Sequence, residues 1–178
     1  MTSRHRGAVS GKIRNTLLEC LALKDLPRAG WVNAGVENPE SVAAHSWGVA
    51  WLAAVLCPEG VDRGVATTIA VIHDVAEVRV GDITPADGID SEEKSRMEHE
   101  EIVKIFDALG GDESLLELWL DYEGERTPEG RFVKACDKLD MALQASVYSE
   151  NQGLDLSEFI NSALDRLDDD VLRLLASG

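Results

Sequence analysis

A histidine and an aspartate stand side by side within an apolar stretch of this chain, at His73 and Asp74. The apolar residues around them, in positions 69–76, recur with a spacing that is typical of a helix. Two adjacent ionisable groups are costly among hydrophobic neighbours unless another group satisfies them. A metal ion would satisfy both, so the pattern predicts a metal centre inside the fold.

Further ionisable residues fall on the inner faces of apolar helices. His45 lies upstream in one predicted helix, and Asp137 lies downstream in another. Glu77 comes one helical turn after His73 and therefore falls on the same side of the predicted helix as His73 and Asp74. Three core-facing helices thus each supply at least one polar side chain.

Taken singly, these residues have plainer interpretations. His45 could be a hydrogen-bonded core histidine, Asp137 the salt-bridge partner of a neighbouring lysine, and Glu77 a helix-end charge near Arg79. Their joint occurrence favours a metal site. Two imidazoles and two carboxylates form a mixed nitrogen and oxygen set that suits one divalent ion, namely Mn, Co, Ni, Fe or Zn, and leaves positions for water and substrate.

The composition argues against several classes of partner. The 178 residues include 17 basic and 33 acidic ones, with a net charge of -16, so we expect no binding to nucleic acid polymers or anionic membranes. No apolar run is long enough to span a bilayer. The three cysteines, Cys20, Cys57 and Cys136, indicate reduced thiols. Together with a first segment unlike a signal peptide, they predict a cytoplasmic protein.

Almost every long stretch has helical periodicity, so the sequence predicts an all-α, single-domain fold. Helices are expected at about 12–24, 38–56, 62–79, 90–109, 113–123, 127–149 and 155–175. Asn38, followed by Pro39 and Glu40, predicts the start of the second helix, with Asn38 as its N-cap. We expect residues 1–10 to form a flexible tail and residues 11–178 to form the domain.

The order of His45, His73-Asp74 and Asp137 resembles the H…HD…D signature of the HD-domain superfamily of metal-dependent phosphohydrolases. A closer resemblance extends over several motifs. Segments 26–32, 38–42, 73–77 and 80–87 are similar to the HD-domain-containing protein 2 family, which is related to the bacterial 5′-deoxynucleotidases. The resemblance runs from about residue 15 to residue 150.

This resemblance implies a helical bundle of the HD-domain type, a homodimer, and hydrolysis of nucleoside 5′-monophosphates, typically the deoxy forms, to nucleoside and phosphate. It also implies that one divalent metal ion is held by His45, His73, Asp74 and Asp137.

Four more residues gain expected roles from the same likeness. Glu77 corresponds to an acid that assists the attacking water, Asp82 to an acid at the substrate end of the site, and Arg28 to an arginine that binds the substrate phosphate. In the bacterial nucleotidases a tryptophan directly follows this arginine, whereas here Trp31 comes three residues later. Trp31 either packs against the sugar or fills the core. Residues 43–44 are alanines where relatives often carry an acid, which leaves a carboxylate partner for His45 in question.

Other functions remain open at this point. The same site could serve another phosphate ester or a nucleoside triphosphate, although the scarcity of lysine and arginine around the motifs favours a monophosphate. An HD-type oxygenase would need further histidines, and His99 reads as a helix residue at the edge of the core. A non-catalytic nucleotide-binding protein has no need of costly inward charges.

Overall fold

A computed structural model of the protein describes the backbone of residues 3–111 and 113–178, with side chains from residue 10 onward. The helices are α1 Ser3–Cys20, α2 Ala29–Asn33, α3 Val42–Val55, α4 Arg63–Ile72, α5 Glu77–Val80, α6 Ser91–Leu109, α7 Glu113–Glu123, α8 Pro128–Gln152, α9 Ser157–Leu164 and α10 Asp170–Ser177. Two short 3-10 turns cover Leu21–Lys24 and Pro85–Asp87. The described residues contain no strand, which confirms the all-α prediction.

Three helices form the centre of the bundle. α3, α4 and α8 pack on one another through fully buried apolar side chains such as Val49, Ile69 and Val133. α6 and α7 cover one side of this centre around Trp119, while α9 and α10 cover another face of α8. Polar side chains that point inward from α3, α4 and α8 therefore meet in the middle of the molecule.

The predicted single helix over residues 62–79 is wrong, because α4 ends at Ile72. Two hydrogen bonds replace the regular helical pattern there. The His73 side chain donates from Nδ1 to the carbonyl oxygen of Ala70 at 2.7 Å, and the His73 carbonyl accepts from Nε1 of Trp119 at 3.0 Å. Since side chains now satisfy these carbonyl groups, the chain turns until α5 begins at Glu77.

The start of α3 also differs from the prediction. Its N-cap is Ser41, whose side chain accepts the backbone N–H of Ala44 at 3.2 Å. Asn38 precedes the helix and has a positive φ of 51°. An isolated bridge joins Pro27 to Ser41, and this pairing holds the segment that carries Arg28 against the start of α3.

The last predicted helix is likewise two helices. α9 ends at Leu164 and α10 begins at Asp170. The Asp169 side chain caps α10 by accepting the N–H groups of Val171 and Leu172. An aspartate that caps a helix favours a start at that point over an uninterrupted helix.

At the other end of the chain, α1 begins at Ser3, earlier than the periodicity indicates. The flexible tail over residues 1–10 stays a prediction, and residues 1 and 2 lie outside the described residues. Each helix in the described part of the chain is too short or too polar to cross a lipid bilayer.

Candidate metal centre and active site

His45 projects from α3 into the centre of the bundle, where its side chain is 1% exposed. Its Nε2 atom lies 3.3 Å from Oδ1 of Asp137 and 3.6 Å from Oδ2 of Asp74. On the opposite side of the ring, Nδ1 lies 2.8 Å from Oδ2 of Asp140. An ionised carboxylate can only accept a hydrogen bond, so Nδ1 is the donor, and in the neutral ring Nε2 carries the lone pair.

His73 presents its ring in the same way from the end of α4. Because Nδ1 donates to the Ala70 carbonyl, the lone pair of the neutral ring again belongs to Nε2, which lies 3.1 Å from Oδ2 of Asp74. The ligand atoms of His45, His73 and Asp74 lie within 4.8 Å of one another. Oδ1 of Asp137 lies beside this group, 3.3 Å from Nε2 of His45. The four residues expected to bind the metal ion therefore lie close together, and their role as ligands stays a prediction.

The unpaired atoms at this place suit a cation. Nε2 of His45, Nε2 of His73, Oδ2 of Asp74 and Oε2 of Glu77 are buried, and within the described part of the chain none of them has a hydrogen-bond partner. Buried electron-pair donors that face one another without hydrogen bonds are unfavourable unless positive charge lies between them. Mixed imidazole and carboxylate donors on three chain segments fit a divalent transition metal.

The electrostatics of Asp74 and His45 also favour positive charge at this place. Burial raises the pKa of Asp74, but His73 and His45 outweigh it and hold that pKa below its ordinary value. Burial and Arg28 lower the pKa of His45, whereas the neighbouring carboxylates of Asp137 and Asp140 raise it to about 9. The centre therefore keeps its aspartate ionised and attracts positive charge, whether that charge is a proton or a metal ion.

The two carboxylate oxygens of Asp137 have different neighbours. Its Oδ2 accepts from the Tyr122 hydroxyl at 3.2 Å and from Nζ of Lys138 at 2.9 Å. Its Oδ1 remains directed at His45. Although burial raises the pKa of Asp137, Lys138 and His45 hold it well below the usual range.

A cavity of about 270 Å³ opens beside the metal ligands. Arg28 lines it, and Nη1 of this side chain lies 3.3 Å from Oδ1 of Asp82 and 3.7 Å from Oδ2 of Asp74. Oδ2 of Asp82 accepts the backbone N–H of Ala29 at 2.7 Å. Asp82 therefore fixes the backbone and the guanidinium of the Arg28 segment, which places a cation at the cavity wall.

Glu77 is 2% exposed and also lines the cavity. The plainer interpretation, a helix-end charge near Arg79, does not account for this burial, and Arg79 pairs with Glu19 and Glu101 instead. Burial, then Asp74 and Asp82, raise the pKa of Glu77 well above its ordinary value. Glu77 is thus a buried carboxyl group that can take up a proton beside the metal ligands.

Trp31 lies mainly in the core, where its side chain is 2% exposed. Its ring packs against Phe159 and Tyr148 at centroid distances of 4.5 Å and 5.4 Å, and its Nε1 donates to Glu40 at 2.9 Å. One edge of Trp31 reaches the cavity. Its contact with a sugar stays a prediction, as do the catalytic and binding roles of the other residues.

Three lysines complete the cavity wall, and the sequence analysis did not identify them. Lys94 on α6 and Lys134 and Lys138 on α8 line it, so the expected scarcity of cations near the motifs is wrong. Helix periodicity places these residues on particular helix faces, but no spacing in the chain shows that those faces share one cavity. Asp140, which contacts Nδ1 of His45, also had no role in the prediction from the sequence.

The remaining candidates lie elsewhere. His99 is exposed on α6, with its ring 6.0 Å from that of Trp119, and it is not among the potential metal ligands in the described residues. Cys20, Cys57 and Cys136 are free thiols, as the sequence predicts.

Comparison with known proteins points to one family. A family model described as "HD domain" matches residues 20–174. The human protein named 5′-deoxynucleotidase HDDC2 is 40% identical over 156 residues, which cover 84% of this chain and 76% of that protein. The protein named 5′-deoxynucleotidase hdd1 from Schizosaccharomyces pombe is 41% identical over 151 residues, covering 80% of this chain and 76% of its own.

Solved structures agree with the sequence relatives. A protein from Pyrococcus horikoshii superimposes with a TM-score of 0.78 at 32% identity, covering 92% of this chain and 98% of that chain. A conserved hypothetical protein from Pyrococcus furiosus gives a TM-score of 0.76 at 31% identity, with 92% and 99% covered. The similarity therefore includes nearly the whole fold.

Proposed function

Because the chain belongs to the HD-domain family of metal-dependent phosphohydrolases, we propose that it is a 5′-nucleotidase. It hydrolyses nucleoside 5′-monophosphates, and the names of its relatives favour the deoxy forms. One observation carries the proposal. Nε2 of two histidines and two aspartates converge beside the guanidinium of Arg28 and a buried glutamate whose Oε2 has no hydrogen-bond partner among the described residues. This combination suits a metal ion, a phosphate group and a water molecule.

His45, His73, Asp74 and Asp137 would hold the metal ion. When bound, a divalent ion would polarise a phosphoryl oxygen and would lower the pKa of a water molecule. The mixed donor set supports Mn, Co, Ni, Fe or Zn as its identity.

Glu77 accepts the proton of the attacking water. Its pKa is raised well above its ordinary value, which makes the carboxylate a stronger proton acceptor than a free glutamate. The oxygen of that water bonds to phosphorus, and the bond between phosphorus and the 5′ oxygen breaks, so the products are a nucleoside and phosphate. The part of the chain that the structure describes brings no serine or cysteine paired with a base into the cavity, which supports direct attack by water.

Arg28 binds the phosphate from the cavity wall. A guanidinium can donate two parallel hydrogen bonds to phosphate oxygens. Asp82 was expected to act at the substrate end of the site. Its hydrogen bonds with Ala29 and Arg28 also support a role in orienting the arginine.

The lysines of the cavity are partly neutralised. Nζ of Lys94 lies 3.5 Å from Glu98, Nζ of Lys134 lies 3.5 Å from Glu123, and Lys138 is engaged by Asp137. Arg28 is paired as well, with Asp82 and Asp74, so every cation named here already has a carboxylate neighbour. We keep the monophosphate as the proposed substrate because the relatives are named 5′-deoxynucleotidases, and a triphosphate becomes an outcome of the test below.

Two further parts of the proposal concern the whole chain. We propose a homodimer that forms through an apolar stripe on α3, where Trp47 and Trp51 are 70% and 55% exposed and stack with centroids 6.4 Å apart. Large exposed apolar patches commonly mark protein interfaces. We also propose a cytoplasmic enzyme without nucleic acid polymers as partners, which the free thiols and the net charge of -16 support.

Phosphate release from ribo- and deoxyribonucleoside 5′-monophosphates tests the activity. The protein is stripped of metal and refilled in turn with Mn, Co, Ni, Fe, Zn or Mg. We expect release that chelation abolishes and that His73→Ala loses, whereas His99→Ala, at an exposed histidine, keeps it. Phosphate release from triphosphates or other esters alone would contradict the proposal that monophosphates are the substrate. No release from any ester would move support to an HD-type oxygenase, which a di-iron absorption spectrum would reveal, or to a binding protein.

A further inference from the structure

We infer that Asp140 is a positioning residue for the metal centre, which orients the His45 ring from α8, and that Gly48 on α3 provides the space it occupies. This inference rests on His45 being a metal ligand, as proposed above. It concerns neither the substrate nor the catalytic step.

The contact between Asp140 and His45 is short and partly enclosed. Oδ2 of Asp140 lies 2.8 Å from Nδ1 of His45, and the two side chains are 15% and 1% exposed. Because the carboxylate accepts this hydrogen bond, it fixes both the rotation of the ring and the nitrogen that carries the proton. Nε2 is then left to face the other ligands. A carboxylate behind a ligating histidine also makes the imidazole a stronger donor.

Gly48 lies three residues after His45 on α3, on the face of this helix that meets α8. A Cβ atom at this position would lie 2.1 Å from Oδ1 of Asp140 and 2.9 Å from its Cγ. Any other residue at position 48 would therefore push the carboxylate out of its place. Glycine is unfavourable inside a helix, and here its lack of a side chain is required by the contact behind His45.

This arrangement supplies the carboxylate that the chain lacks beside His45. The two residues before His45 are alanines, and Ala44 is exposed. Asp140, which contacts the ring, lies 95 positions further along the chain than His45. Helix packing, rather than a local motif, thus provides the partner of this histidine.

The test is the affinity of metal-free protein for Zn or Mn, measured by competition with a chelator. We expect Asp140→Ala to weaken binding by about 10- to 100-fold. Gly48→Ala should weaken it as well, although the aspartate is still present, because the added methyl group displaces the carboxylate. The double variant G48A/D140A should bind no worse than D140A, since the clash disappears with the aspartate.

Matched controls separate this effect from general damage. Gly11→Ala changes a glycine of α1 with no atom within 4 Å of the new Cβ, and Glu150→Ala removes an exposed acid of α8. Both should bind metal like the wild type. Thermal melts of the metal-free variants report whether each one folds, and if D140A does not fold, G48A alone decides the question.

Equal affinity of wild type and of folded D140A and G48A would overturn the inference. Two ions per chain would also overturn it, because Glu40, His45 and Asp140 could then form a second metal site. A wild-type protein that binds no metal would instead reject the proposed ligands, and this inference with them. A wild type that binds metal but releases no phosphate would reject only the proposed activity.

Discussion

Asp74 and Glu77 are two buried carboxyl groups in one cavity whose pKa values shift in opposite directions. Burial raises both, but Asp74 faces His73, His45 and Arg28, which hold its pKa low. Glu77 faces Asp74 and Asp82, which raise its pKa further. Neighbouring carboxyl groups with such divergent pKa values commonly divide their tasks. We therefore predict that the ionised group binds metal and that the other one moves protons.

This division predicts different losses for the two residues. Asp74→Ala should lose both the metal ion and the activity. Glu77→Gln should keep the metal stoichiometry and lower kcat by about 10²- to 10⁴-fold, as expected for removal of a general base. Metal content by atomic emission and phosphate release would be measured on the same samples. An active Glu77→Gln enzyme would contradict the assigned role.

Glu98 on α6 makes folding stability depend on pH. Its burial, opposed by Lys94 and assisted by Glu123, raises its pKa from 4.5 to about 7. Since the folded-state pKa is the higher one, its contribution to stability is full below pH 4.5 and is lost as pH rises through 7. Glu98→Gln stays neutral, so we expect it to be more stable than the wild type at pH 8, by up to about 3 kcal/mol.

Urea unfolding at pH 5 and pH 8 measures this effect, and the gain should shrink at the lower pH. Glu92→Gln, an exposed residue of the same helix, should behave like the wild type at both values. Equal stability of wild type and Glu98→Gln at pH 8 would show that Glu98 is ionised without cost.

The helices themselves were largely predictable, whereas the breaks within them were not. Apolar periodicity is a local property, and it indicated α6, α7 and α8 closely. The break after Ile72 depends on Trp119, which donates to the His73 carbonyl from 46 positions away.

Prediction of the site from the sequence has the same limit, because contacts between distant parts of the chain are not visible in local patterns. His45, His73, Asp74 and Asp137 stand out as polar residues in apolar helices, while Lys94 looks like an ordinary surface lysine until helix packing brings it to the cavity.

The junction of α7 and α8 depends on a glycine at its closest approach. A Cβ at Gly130 would lie 2.3 Å from the carbonyl oxygen of Asp121, and backbone cannot move aside as a side-chain end can. Gly130→Ala should therefore destabilise the fold by about 1–3 kcal/mol. Urea unfolding measures the change, and Gly11→Ala, which has open space around it, serves as the control. A Gly130→Ala protein as stable as this control would mean that the two helices separate easily.

At the scale of the whole molecule, the stripe on α3 predicts the oligomeric state. The wild type should sediment as a dimer, and a variant with Trp47→Glu and Trp51→Glu should sediment as a monomer, because two charges would be buried unpaired in the interface. Leu174→Glu on α10, where the leucine is 72% exposed, should leave the dimer intact. A monomeric wild type, or a dimeric double variant, would contradict the proposed interface.

The proposed metal ligands lie at positions 45, 73, 74 and 137, and only the folded chain brings them together. An ion that binds the folded state alone adds about 2.7 kcal/mol of stability at a free concentration of one hundred times its Kd. For a chain of this size that is an increase of about 5–10 °C in Tm. Calorimetry with and without a chelator measures it, and an unchanged Tm would contradict selective binding to the folded state.

The same linkage gives the ion a second effect inside a cell. Proteases remove chains that are unfolded, so a loss of a few kcal/mol shortens the lifetime of a protein. When metal is scarce, the chain would lose more than its activity. It would be degraded faster, and its abundance would follow the metal supply.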